Sequence, residues 1–167
     1  KALKNGQPEE RVSMLKKALE YGENGVNVKK AIGNDDQLPI AMHNYCETAI
    51  WLGEYLMIRQ EKEKLFTSAM ETSREALTIQ ERIRSTKKKD QLLAEYLISV
   101  FRLSELQRTA ASEVESAIHL LITHLDKDRE LTYDRKVCLS LLSILTPSNE
   151  SLTSTAQAKH FLEHFNV

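Results

Sequence analysis

Apolar residues recur along this chain at spacings of three and four, the period of helices that bury one face. Pro8 followed by Glu9 and Glu10 reads as a helix start, and Val12, Leu15, Leu19 and Val26 continue the pattern to Ile32, where Gly33-Asn34 reads as a C-cap. Helix one is therefore expected over roughly residues 8–33. Asp35 or Asp36 is placed to cap a second helix that carries Pro39 in its first turn and runs to about Gln60. Its seam is Leu38, Met42, Tyr45, Ala49, Leu52 and Leu56, and beside it lies a second stripe of Asn44, Glu47, Trp51, Tyr55 and Ile58.

Helix three, roughly 62–84, presents Phe66, Ala69, Ser73, Ala76, Leu77, Gln80 and Ile83 on one side and charge on the other, as an outer helix would. Helix four, roughly 89–107, carries Leu92, Leu93, Tyr96, Leu97, Val100, Phe101, Leu103 and Leu106, more than one stripe can hold, and is expected to pack on two sides. Ser112 with Glu115 forms a capping-box pattern for helix five, which ends near Leu125. Helix six, from Tyr133 to Leu145, should stop at Thr146-Pro147, and a weaker helix seven is expected over roughly 152–165. The result is an all-α fold of about seven antiparallel helices in a single domain spanning 1–167.

Within this pattern the stretch from Ala49 to Ala76 resembles one tetratricopeptide repeat. Trp51-Leu52-Gly53 and Tyr55 match its first helix, and Ala69 and Ala76, seven apart, match its second. The segment between Gly53 and Ala69 is longer than in that family and no Pro closes it, so the likeness is to a divergent repeat. The resemblance implies a curved scaffold whose inner face grips a peptide or protein segment. The alternative architecture is a closed helical bundle.

Composition agrees with helices, since only five Gly and three Pro occur in 167 residues. Lys plus Arg number 23 against 24 Asp plus Glu, which leaves net charge −1 and no global basic field for nucleic acid or anionic lipid. Two cysteines without a CxxC pair, no apolar run of membrane-spanning length and no leader-like start point to an intracellular chain, cytoplasmic or nuclear. Lys1 stands where an initiator Met would, so the chain is expected to be a fragment of a larger protein.

Candidate chemistry is sparse. His160-Phe161-Leu162-Glu163-His164 fits an inverted zinc-protease pattern but lacks a downstream third ligand, and it reads better as a solvated terminal helix. His119 and His124 point to different faces, and His43 with Cys46 makes only two ligands, so neither metal nor cofactor is expected. No phosphate loop or nucleophile elbow is present, and an enzyme is not expected. Asn149-Glu150-Ser151 is read as a turn rather than a glycosylation site.

Two surface features remain. Arg82, Arg84, Lys87, Lys88 and Lys89 form a basic patch that could meet nucleic acid or an acidic partner, though no interleaved aromatics suggest base stacking. The stripe of Asn44, Glu47, Trp51 and Tyr55, with Arg102 facing it from helix four, supplies surplus aromatic area framed by polar groups, as binding grooves do. The expected function is a non-enzymatic scaffold for a protein or peptide partner.

Overall fold

A computed structural model of the chain describes residues 8–106, 111–125 and 133–148. Among them run six helices: α1 (Pro8–Ala31), α2 (Leu38–Tyr55), α3 (Arg59–Arg82), α4 (Lys89–Glu105), α5 (Ala111–Leu125) and α6 (Tyr133–Ser148), with no strand among the described residues. The expected helix over 152–165, the His160–His164 pattern and the Asn149-Glu150-Ser151 turn lie outside the described residues.

The local signals explain most boundaries. Pro8 opens α1, with Glu9 and Glu10 in its first turn and Lys29 and Lys30 in its last, each charge facing the favourable end of the helix dipole. Gly33 closes it at φ +66, with the Gly33 N–H donating to the Lys30 carbonyl and the Asn34 N–H to that of Lys29. That pair of bonds is a Schellman ending. The cap of α2 differs from expectation: Gln37 is the N-cap, the Asn34 side chain accepts from its N–H at 3.1 Å, and Asp35 instead pairs with Arg82 at 2.7 Å.

Helix two also ends earlier than its apolar pattern suggests. The chain leaves α2 after Tyr55 and takes extended backbone at Leu56 and Ile58 before α3 begins at Arg59. No Gly or Pro marks this break, so Ile58 belongs to a linker and not to the Trp51 stripe. α5 starts at Ala111, ahead of Ser112, which puts Ser112 inside the first turn rather than at the cap. α6 continues through Pro147 to Ser148. A proline there takes one hydrogen bond from a final turn that can loosen, rather than breaking a helix interior.

Packing follows chain order. Each helix lies against the next, α4 also meets α2 and α6, and among the described residues α1 packs on α2 and adds the Lys30–Glu75 ion pair to α3 at 2.8 Å. α4 is central: Leu92, Leu93, Tyr96, Leu97 and Val100 are all at most 1% exposed, as a helix packed on two sides requires. Phe66, Ala69, Ser73, Ala76, Leu77 and Gln80 make the buried side of α3. At Gly53 of α2 the Phe66 ring comes so close that an added Cβ would lie 2.8 Å from it, so the α2–α3 pair needs glycine there.

Candidate functional site

α2, α4 and α6 together line a cleft of about 490 Å³. α2 contributes His43, Glu47, Ile50, Trp51 and Glu54, which recur at helical spacing and so share one face. From α4 come Gln91, Ala94, Glu95, Ile98, Phe101 and Arg102, and from α6 Val137 and Leu141. Three of the five expected site residues, Glu47, Trp51 and Arg102, therefore meet around one cavity. Trp51 is 54% exposed, so its indole is a wall of the cleft and not a core residue.

Tyr55 lies on the other side of that wall. With Trp51 it lines a second, more apolar cavity of about 440 Å³ completed by Arg11, Met14, Leu15 and Ala18 of α1. Arg11 Nη1 approaches the Tyr55 hydroxyl at 3.4 Å. Asn44 is exposed and lines neither cavity; its carbonyl accepts the Thr48 hydroxyl at 2.9 Å.

Arg102 does not present a free guanidinium. Its Nε donates to Glu54 Oε1 at 2.5 Å and its Nη1 to Glu105 Oε2 at 2.7 Å, while its head stands 5.6 Å from the centroid of the Phe101 ring. Partial burial works against its charge, but the bonds to Glu105 and Glu54 outweigh that and hold it protonated above its ordinary range. Deeper in the cleft, His43 Nδ1 and Glu95 Oε1 stand 2.5 Å apart, with the two residues only 7% and 6% exposed. This buried imidazole–carboxylate pair was not foreseen. The signal was there: a Glu inside the apolar run Leu92-Leu93-Ala94-Glu95-Tyr96-Leu97 must find a polar partner when its helix is buried on two sides.

Cys46 shares a helix with His43 but serves the core. Its thiol donates to the Ala69 carbonyl at 3.5 Å, and burial, then the Glu95 charge, pushes it well above the usual thiol range. Cys138 is likewise buried and in no disulfide. Among the described residues no cluster of three or more His, Cys, Asp and Glu is arranged to hold a metal ion, and no helix is long and apolar enough to cross a membrane.

The basic patch lies at the α3–α4 turn. Arg82 is taken up by Asp35, Arg84, Lys87 and Lys88 are exposed, and Lys89 is half-buried. Arg84 and Lys88 both adopt left-handed backbone, at φ 53 and φ 63. Gln80, buried at the end of α3, holds the turn by donating its amide to the Lys87 carbonyl. Comparison of the chain with protein-family models, with curated proteins and with solved structures gives no match, so the reading of the site rests on its own geometry.

Proposed function

We propose that the chain is a non-enzymatic, tetratricopeptide-like interaction module that holds a peptide or protein segment in the cleft between α2, α4 and α6. The observation that carries this reading is Trp51. A helix that already fills its seam with Leu38, Met42, Ala49 and Leu52 keeps a half-exposed indole on the wall of a cavity. Large aromatic rings in partly desolvated pockets dominate the energy of protein interfaces. The order of packing supports an open array over a closed bundle, since α2, α4 and α6 share one face and α1 touches neither α4 nor α6. The reading through Arg82 to Lys89 has less support, because Arg82 is spent on Asp35 and the turn has a structural role of its own.

Selection of peptides from a displayed random library against the purified chain tests the proposal. Trp51→Ala should weaken the selected peptides by on the order of 2 kcal/mol while leaving the thermal midpoint nearly unchanged. Undiminished binding to that variant would remove the cleft from consideration.

A further inference from the structure

The charges around the cleft name the chemistry of its occupant. Among the described residues three carboxylates line it, those of Glu47, Glu54 and Glu95, against the guanidinium of Arg102. The described lining residues therefore carry a net charge of −2 when His43 is neutral and −1 when it is protonated. Glu54 is neutralised by Arg102, and Glu95 faces His43, whereas Glu47 is exposed and enters no ion pair among the described residues. Glu47 stands one helical turn from Trp51, on the same face of α2. The head of Arg102 lies over Phe101, while the exposed indole of Trp51 offers an aromatic surface to a cation, the strongest such surface among side chains. Beyond these groups Ile50, Ile98, Val137 and Leu141 supply an apolar wall.

We propose that the occupant is a peptide segment carrying a Lys or Arg side chain next to an apolar one, the cation set between Glu47 and Trp51 and the apolar side chain against Ile50, Ile98, Val137 and Leu141. This deepens the cleft reading and rests on it. Acidic segments and nucleic-acid phosphates meet a like-charged rim and are rejected, which is how such a site gains specificity.

The test uses short acetylated, amidated peptides in which one Leu or Phe is flanked by Lys, by Gln or by Glu. Binding is read by calorimetry and by the emission of Trp51, the only tryptophan of the chain. The Lys-flanked peptides should bind about tenfold or more tightly than the Gln-flanked set. Glu47→Gln should erase that preference with an unchanged thermal midpoint, and the Glu-flanked set should bind weakest. Equal binding of the three sets, or a preference that survives in Glu47→Gln, overturns the charge assignment and leaves the cleft standing as a peptide site. No binding by any set, with Trp51 emission unmoved, overturns both.

Discussion

Glu95 lies in the apolar heart of α4 and is 6% exposed, a position that a carboxylate holds only when a partner compensates its lost hydration. His43 is that partner, reaching it from α2 at 2.5 Å and so joining two helices that line the cleft. Such pairs are costly to break and cheap to replace: removing one member strands the other, while swapping both for apolar residues of similar volume is often neutral or better. His43→Leu or Glu95→Leu alone should therefore lower stability by roughly 3–5 kcal/mol, and the double variant should recover most of it. Denaturant unfolding of the four proteins measures this coupling, and additive single losses would show that the pair does not act as a unit. The pair also marks what sequence reading missed. Trp51, Glu47 and Arg102 stand out on a helical wheel as surplus aromatic and charged residues, but His43 gains its meaning only from a residue 52 positions away. Pairing across helices has no signal in a single periodicity.

At the level of elements, the start of α1 and its Gly33 ending follow from proline position, terminal charge and a left-handed glycine, all of which are local. The α2–α3 break escaped because it is made by three non-Gly, non-Pro residues whose apolar pattern continues that of the helix. Beyond it α3 folds back and sets Phe66 over Gly53. The α3–α4 turn shows the converse, a left-handed cap without glycine. Arg84 takes the position that Gly33 holds in α1, its N–H donating to the Glu81 carbonyl and the next N–H, of Ser85, to that of Gln80. A side chain in that conformation is disfavoured by about 1 kcal/mol or more. Arg84→Gly should accordingly raise stability by roughly 0.5–1 kcal/mol, seen as a higher thermal midpoint; a lower midpoint would mean that the Arg84 side chain contributes more than its backbone conformation costs.

Across the whole molecule, helices packed in chain order bury a thiol and phenols that must stay neutral. Burial, reinforced by the Glu113 charge and opposed by Arg74, pushes Tyr96 up to about 12, and burial raises Cys46 and Tyr45 above their ordinary values. Each of these groups binds its proton more tightly in the folded state. Their contribution is complete below the unfolded values, near 9 for the thiol and 10 for the phenols, and fades as pH climbs through the folded ones. The urea midpoint should thus fall steadily from about pH 9 upward; a midpoint flat to about pH 11 would contradict the burial of these groups. The same ordering of helices gathers α2, α4 and α6 on one face and leaves Trp51 there, half-exposed over the cleft. As Trp51 is the only tryptophan, acrylamide quenching of its emission reports on the wall it forms between that cleft and the cavity beside α1. In the free protein the indole should be readily quenched, and a saturating peptide selected for binding should shield it and shift its emission to the blue. An indole already shielded in the free protein, or one equally quenched with peptide bound, would contradict the cleft as the site where this chain meets its partner.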